Sequence, residues 1–283
     1  MTVSSYVLPT SVAEAVGLLQ AHGSEILVLA GGTVAMPLVN EGVRLPARVM
    51  GLRRTGLDGI QTRDGGLRVG ATTTLTALAA QDAVPLLATA ARRTASWAVR
   101  NMATVGGNLF SAPRGGDVAT ALLALDAVVE ATGPAGMRSI ELDAFFTGPF
   151  TTALAPDELV TAIVVPAAAG ATTFVKLGRR QANTPAVVTV AARLVARGGS
   201  VTDARLALGS AGPHPVRVAA AEAALVGRSL DDVSIADAAA AATDVAAPLS
   251  DAVASDWYRR RMVGVIVRRA LEELVPAVAG RVA

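Results

Sequence analysis

Two pairs of adjacent glycines stand in the first half of the chain, each directly before a polar residue. They are Gly31-Gly32, followed by Thr33, and Gly106-Gly107, followed by Asn108. A pyrophosphate is bound by backbone amides that point at it, and adjacent glycines permit that approach because they reach unusual backbone angles and carry no Cβ. A tight turn is the alternative for either pair alone. Two such pairs beside Thr and Asn make a nucleotide pyrophosphate site the working hypothesis.

Other nucleotide and catalytic motifs are missing from the sequence. No G-x-G-x-x-G follows a strand pattern, and the single lysine, Lys176, lacks the preceding glycine of a P-loop. Neither G-x-S-x-G nor H-E-x-x-H is present. With no cysteine and two histidines, the chain cannot bind a cysteine-ligated iron–sulfur cluster or a thiolate zinc site. If its chemistry moves electrons, an organic cofactor must carry them.

The composition is that of a folded protein with no marked preference for nucleic acid. Of 283 residues 52% are hydrophobic, the formal net charge is +2, and the arginines are scattered without interleaved aromatics. The long uncharged segment Leu159–Val175 contains Pro166 and Gly170, so we predict strand, turn and strand rather than a membrane span. No secretion leader is recognisable in Met1–Tyr6, and we expect a cytoplasmic protein.

The order of the predicted elements indicates an α+β protein. A helix begins at the capping pattern Ser11–Glu14, and the buried strand Ile26–Leu29 leads straight into the first glycine pair. Pro166–Ala171 is a candidate linker. After it the pattern changes to strands first and helices afterwards, which favours a separate α+β domain. The predicted strands there are Thr172–Leu177, Ala186–Val195 and Val201–Leu208, and the predicted helices cover Val216–Leu225, Ile235–Ala246 and Ser255–Val275.

Several segments resemble the FAD-binding medium subunit of the molybdenum hydroxylases, the family of bacterial xanthine dehydrogenase and carbon monoxide dehydrogenase flavoprotein subunits. The resemblance is collinear over almost the whole chain. It is carried by Val28–Thr33, Arg100–Leu109, Gly115–Ala127, Asp157–Val160, Phe174–Arg180 and Tyr258–Arg261.

This resemblance implies a fold and a set of partners. The fold would be an FAD-binding domain of p-cresol methylhydroxylase type with two α/β subdomains (1–167), followed by a C-terminal α+β domain with a three-stranded antiparallel sheet and helices (168–283). FAD would be bound non-covalently. Molybdopterin and iron–sulfur clusters would lie on a large and a small partner subunit, in a dimer of heterotrimers, and electrons would pass through the flavin to NAD, a quinone or another acceptor.

The resemblance also assigns cofactor-binding residues. Asp117 matches an acidic residue that bonds FAD hydroxyls, with a helix N-cap as the alternative. Val160 matches a position whose backbone meets the flavin ring, with a plain core residue as the alternative. Lys176 matches a flavin-side lysine; a solvated charge is the alternative, although its apolar strand favours a placed cation. The two phosphate-binding loops correspond to Ala30, Gly31, Gly32, Thr33, Val34 and to Thr104, Val105, Gly106, Gly107, Asn108.

Three points stay open from the sequence. Thr184 stands where some relatives place a tyrosine over the flavin, so the cover of the flavin face is undetermined. Arg259-Arg260-Arg261 and Arg268-Arg269 form either a partner-binding face or a solvated helix surface. The function is either an electron-transfer subunit, a stand-alone FAD-dependent oxidoreductase of the same fold, or a non-catalytic module.

Overall fold

The computed structural model describes residues 3–111 and 116–279, so Gly115 of the matched segment lies outside the described residues. The chain first forms a three-stranded parallel sheet of order β1-β3-β2 with helices beside it. Ser11 Oγ caps the first helix by accepting from the amide of Glu14, as predicted, while the Glu14 carboxylate reaches back to the amide of Thr10. The elements are β1 (Ser5–Val7), α1 (Val12–His22), a 3-10 turn (Gly23–Glu25), β2 (Ile26–Leu29), α2 (Ala35–Asn40) and β3 (Arg48–Gly51).

A five-stranded antiparallel sheet of order β4-β5-β10-β6-β7 follows. The sequence pattern of Pro85–Trp97 predicts one helix, but the structure has two, because Ala95 adopts φ 48° and Ser96 caps a new short helix. The elements are β4 (Ile60–Arg63), β5 (Gly66–Gly70), α3 (Leu75–Ala80), α4 (Pro85–Arg93), α5 (Trp97–Arg100), α6 (Val105–Leu109), α7 (Asp117–Leu123), β6 (Val128–Gly133), β7 (Gly136–Glu141), α8 (Leu142–Phe145), β8 (Phe146–Gly148), β9 (Thr151–Thr152) and β10 (Leu159–Val165).

The last sheet is antiparallel and has four strands in the order β11-β12-β13-β14, which corrects the expected three. The fourth strand, Val216–Arg217, pairs with Ala207 and Leu208 and occupies the start of the helix predicted over 216–225. Two residues are too few to show a period, so the sequence pattern could not separate this strand from the helix after it. The elements are β11 (Ala171–Gly178), β12 (Ala186–Arg197), β13 (Ser200–Gly209), β14 (Val216–Arg217), α9 (Ala219–Leu225), α10 (Asp232–Val245) and α11 (Asp256–Ala279).

This last sheet is covered on both faces. Phe174, Ala191 and Ala207 belong to the same core as α4 and α7 of residues 3–165, which we call the N-terminal part. Residues of opposite orientation, including Val190 and Leu206, pack against α9, α10 and α11. Burial on both faces explains why the strands are almost continuously apolar. Residues 171–279, the C-terminal part, are therefore attached to the N-terminal part through a shared apolar core.

Candidate functional site

The first glycine loop, Ala30–Val34, follows β2 directly. Gly32 adopts φ 71°, a conformation that favours glycine, and its carbonyl accepts from the amide of Met36 at 2.9 Å. Within the described residues no acceptor is bonded to the amides of the four consecutive residues 31–34. A row of unbonded amides at a chain turn is the donor set that an anionic group requires.

The second glycine loop, Thr104–Asn108, uses its amides differently. Gly106 N donates to Ala71 O at 2.9 Å and Gly107 N donates to Thr104 Oγ1 at 3.1 Å. A Cβ on Gly106 would lie 2.8 Å from Ala71 O, so this glycine is needed for close backbone packing. Within the described residues Thr104 alone in this loop has an amide without an acceptor. The loop therefore supplies mainly shape, and one donor.

The first loop packs against the residues directly before the second loop, although about seventy residues separate them in the chain. A Cβ on Gly31 would collide with the carbonyl oxygen of Met102 and lie 3.0 Å from Cα of Ala103. The loops are thus brought to one place by the packing of β2 beside the segment that precedes α6.

Asn108 links the second loop to α7. Its Oδ1 accepts from the amide of Ala119 at 3.1 Å and rests against Gly116, where a Cβ would collide with it. The side-chain oxygen is thereby committed within the protein, whereas the side-chain amide donors have no acceptor among the described residues. Any contact of this side chain with a ligand would therefore be made by its NH₂ group.

The N-terminus of α7 carries a buried ion pair. Lys176 Nζ donates to Asp117 Oδ2 at 2.5 Å and to the carbonyl of Arg93 at 3.1 Å. The side chains of Lys176 and Asp117 are only 7% and 8% exposed. Gly116, not Asp117, is the N-cap of α7, so the N-cap alternative for Asp117 is wrong, and so is the solvated-charge alternative for Lys176.

Burial sets the protonation behaviour of this pair. Desolvation raises the pKa of Asp117 above its ordinary value, while the charge of Lys176 and hydrogen bonds from Lys176 and Thr94 oppose the rise. Because the opposing contacts are made mainly by one cation, the charge state of Asp117 depends on Lys176.

A cavity of about 390 Å³ opens beside this ion pair. It lies where β11 ends and the following turn begins, and Thr184 forms part of its wall. The lining is basic and polar, with two arginines at the margin. The lining residues are Arg93, Lys176, Leu177, Gly178, Arg180, Gln181 and Thr184.

Val160 is a core residue of β10. Its side chain is 4% exposed and belongs to the core around α7. The pairing of β10 with β6 is irregular between Val160 and Ala162. The carbonyl of the intervening Thr161 accepts a hydrogen bond from the amide of Ala71, and the carbonyl of Ala71 accepts one from the amide of Gly106. Val160 is thus connected to the second loop through these backbone bonds, and its side chain belongs to the same apolar core as Val105 of that loop.

Arg259 does not belong to a partner-binding face. It is 2% exposed, and its guanidinium donates to Val187 O at 2.7 Å, to Ser210 O at 3.2 Å and to Asp251 at 2.8 Å. Its neighbours Arg260 and Arg261 are exposed. The positional pattern of a helix explains the difference, because consecutive residues point in different directions.

The sequence did not reveal the Asp117–Lys176 ion pair or the hydrogen bond from the amide of Gly106 to the carbonyl of Ala71. The pair joins positions far apart in the chain, and no local pattern encodes such a contact. Residues 3–111 and 116–279 contain no group of three or more potential metal ligands and no helix with the length and apolarity needed to span a membrane.

Two family models match most of the chain. One, described as the FAD binding domain in molybdopterin dehydrogenase, matches residues 2–168, and one described as the CO dehydrogenase flavoprotein C-terminal domain matches residues 173–274. The chain belongs to the FAD-binding medium subunits of the molybdenum hydroxylases.

Individual relatives agree with this family. The glyceraldehyde dehydrogenase medium chain of Sulfolobus acidocaldarius is 33% identical, over 95% of this chain and 98% of the relative. The carbon monoxide dehydrogenase medium chain of Afipia carboxidovorans is also 33% identical, over 94% and 95%. A solved structure of a carbon monoxide dehydrogenase from Hydrogenophaga pseudoflava contains a chain that matches with a TM-score of 0.92 and 33% identity, over 99% of this chain and 98% of that chain. The relatives are subunits of multisubunit oxidoreductases, which the resemblance predicted.

Proposed function

We propose that this chain is the electron-transfer subunit of a molybdenum-dependent dehydrogenase, taking electrons from an iron–sulfur subunit and passing them from FAD to NAD, a quinone or another acceptor. Its membership of the family and its FAD-binding domain are established above. The observation that carries the proposal is the row of four unbonded amides in the first glycine loop, together with the packing of Gly31 against Met102 and Ala103, which directly precede the second loop.

The residues present fit a dinucleotide cofactor. The pyrophosphate would lie on the amides of residues 31–34 and on the amide of Thr104, with Asn108 NH₂ as a side-chain donor. The second loop would offer the cofactor few further donors, because the amides of Val105, Gly106 and Gly107 are already hydrogen-bonded within the protein. In this assignment Ala30 and Val34 contribute backbone alone.

The flavin ring is proposed to lie at the cavity beside Lys176. FAD supplies a centre that accepts and releases electrons one or two at a time. Lys176 would hold a fixed positive charge at the ring, and Asp117 would fix the position of that charge. The wall formed by Leu177, Gly178 and Thr184 would exclude water from one side. The backbone of Val160 is proposed to approach the ring from β10.

FAD is proposed to be held non-covalently. Of the two histidines, His22 ends α1, and His214 is stacked on Phe146 with ring centroids 5.8 Å apart. Neither belongs to the loops or to the cavity wall, and there is no cysteine. Acid precipitation should release all the flavin into the supernatant. Flavin retained in the protein pellet would contradict non-covalent binding.

The proposed assembly contains a large molybdopterin subunit and a small iron–sulfur subunit, arranged as a dimer of heterotrimers in the cytoplasm. The domain boundary is proposed at 167/168, within the segment between β10 and β11, and the overall fold as the p-cresol methylhydroxylase type. The experiment is purification of the chain from its native host under mild conditions, with assay of flavin, molybdenum and iron. Recovery of a flavoprotein without either metal would favour the stand-alone oxidoreductase instead.

A further inference from the structure

One carboxylate of the N-terminal part receives three arginines of the C-terminal part. Asp126 accepts from Arg205 Nε at 2.9 Å, from Arg193 Nη2 at 3.0 Å and from Arg217 Nη1 at 3.1 Å. Arg193 is 9% exposed at its side chain and also donates to the carbonyl of Ala124 at 3.4 Å. We call these four side chains the arginine clamp. It joins the end of α7 to three strands, β12, β13 and β14.

Asp126 is an unexpected residue at its own position. It follows α7 with φ 51°, and the amide of Asp126 bonds to the carbonyl of Leu123 as in a helix C-terminal cap. Glycine and asparagine are favoured at such a position, and a carboxylate is disfavoured because the helix C-terminus carries partial negative charge. Aspartate tolerates the left-handed backbone, but its negative charge is disfavoured at the helix C-terminus, so the three guanidinium groups are what favour a charged carboxylate here.

The arginines also need a carboxylate from outside their own sheet. Arg193 and Arg205 are directly opposite each other on β12 and β13, an arrangement that is destabilising for like charges. Asp203 and Glu222 of the C-terminal part offset part of this charge. Asp126 supplies the third carboxylate, and it does so from the N-terminal part.

Helix α7 carries polar contacts to the C-terminal part at both ends and in the middle. Asp117 at its start pairs with Lys176, the hydroxyls of Thr120 and Thr189 lie 3.3 Å apart, and Asp126 follows its end. Apolar packing between α7 and the sheet is non-directional, so it leaves the register of the contact to polar groups. A shift of the sheet along α7 that broke the arginine clamp would also move Lys176 away from Asp117.

We propose that Asp126 is a positioning residue that fixes the C-terminal sheet along α7, so that Lys176 reaches Asp117. The positioning role of Asp126 involves contacts within the protein alone and requires no bound ligand. Its consequence for FAD rests on the proposed function, in which Lys176 lies at the flavin.

The first test measures the distance between the two parts in the full chain. The chain has no cysteine, so spin labels at Met137→Cys and Val233→Cys, both exposed, report one distance across the parts. Asp126→Asn keeps the left-handed backbone and removes the charge. The matched control is Asp203→Asn, which removes a carboxylate that binds two of the same arginines from inside the C-terminal part.

We expect a single narrow distance in the parent protein and in Asp203→Asn, and its shift or broadening in Asp126→Asn. An unchanged distance in Asp126→Asn, or equal broadening in both variants, would overturn the proposal. If Asp126→Asn does not fold, Asp126→Gly serves instead, since glycine is favoured at this position. Failure of both to fold, with Asp203→Asn folded, would show that Asp126 acts on folding and not on placement, which also overturns the proposal.

The second test uses the flavin midpoint potential of the FAD-loaded chain. Asp126→Asn should shift the potential in the same direction as Lys176→Met, and the two shifts should not add in the double variant. A changed label distance with an unchanged potential would leave the positioning role intact and contradict the placement of Lys176 at the flavin. The failure of the proposal and the failure of the proposed function are therefore distinguishable.

Discussion

Lys176 Nζ lies 2.5 Å from Asp117 Oδ2, and the two residues belong to different parts of the chain. Among the described residues, neither side chain forms another ion pair between the N-terminal and C-terminal parts. Because both side chains are buried, removal of either one leaves an unpaired charge in a poorly solvated place. We therefore expect the pair to behave as a unit in mutational experiments.

Opposite potential shifts are expected from the two halves of this pair. Lys176→Met leaves a carboxylate and should lower the flavin midpoint potential, whereas Asp117→Asn leaves a cation and should raise it. Shifts on the order of 30 mV correspond to about 1.4 kcal/mol for a two-electron couple. Potentiometric titration of the flavin measures both. The double variant serves as the control and should lie near the parent value.

The pH at which Lys176→Met is titrated matters for its outcome. Without Lys176, burial should raise the pKa of Asp117 further, so that at low pH the carboxyl is protonated and no charge remains. Above the pKa that Asp117 has in the parent, the potential difference between parent and variant should thus grow as the pH rises. A difference that is absent at every pH would place Lys176 away from the flavin.

Asp117 should also give the stability of the protein a recognisable pH dependence. Burial raises the pKa of its carboxyl in the folded state. Its contribution to the free energy of unfolding is therefore greatest below the ordinary aspartate pKa, ~4, and is lost as the pH rises through the raised pKa. Relative to Asp117→Asn, the parent should become less stable across that window, as measured by urea unfolding at several pH values. If the stability of the parent relative to Asp117→Asn instead rises with pH, the charge of Lys176 has a larger effect on the pKa of Asp117 than burial has.

The elements that hold the loops were predictable from sequence, and the contacts between distant segments were not. The strand Ile26–Leu29 and its direct entry into Gly31-Gly32 follow from local patterns and agree with the structure. The strand β6 was not predicted, because its sequence Val-Val-Glu-Ala-Thr-Gly shows no clear alternation of strongly apolar and polar residues. Contacts such as Gly31 with Met102 depend on tertiary packing, which no local period encodes.

The first glycine loop is testable with a matched pair of glycines. Gly32 and Gly42 have nearly equal φ angles, 71° and 70°, but Gly32 alone lies in the loop, where an added Cβ would be 3.3 Å from the side chains of Leu29 and Met36. Replacement of either by alanine should cost about 1–2 kcal/mol of stability through backbone strain. Only Gly32→Ala should also weaken FAD binding, by roughly tenfold or more, equal to about 1.4 kcal/mol. Fluorescence titration of FAD measures this, and equal FAD affinities in the two folded variants would remove Gly32 from the site.

Arg259 and Arg260 should differ sharply although they are adjacent. Arg259→Met removes donors from buried carbonyl groups and should lower the free energy of unfolding by about 3 kcal/mol. Arg260→Met changes an exposed side chain and should stay within about 0.5 kcal/mol of the parent. Thermal unfolding of the two variants decides this. A large effect at Arg260 would indicate a buried role that the structure does not show.

Dependence on partner subunits is the prediction that separates the main hypothesis from the stand-alone oxidoreductase. The chain has no cysteine to ligate an iron–sulfur cluster, and in the proposed function its flavin receives electrons from a docked iron–sulfur subunit. We expect the purified FAD-loaded chain to reduce dyes slowly with NADH and to hydroxylate no purine, aldehyde or heterocycle. Addition of the molybdenum and iron–sulfur subunits should give rapid flavin reduction by substrate, measured by stopped-flow absorbance.

Stable complexes of this kind bury large interfaces, so the three chains should also co-elute in size-exclusion chromatography. Rapid reduction of the flavin by an organic substrate in the isolated chain would decide for the stand-alone enzyme.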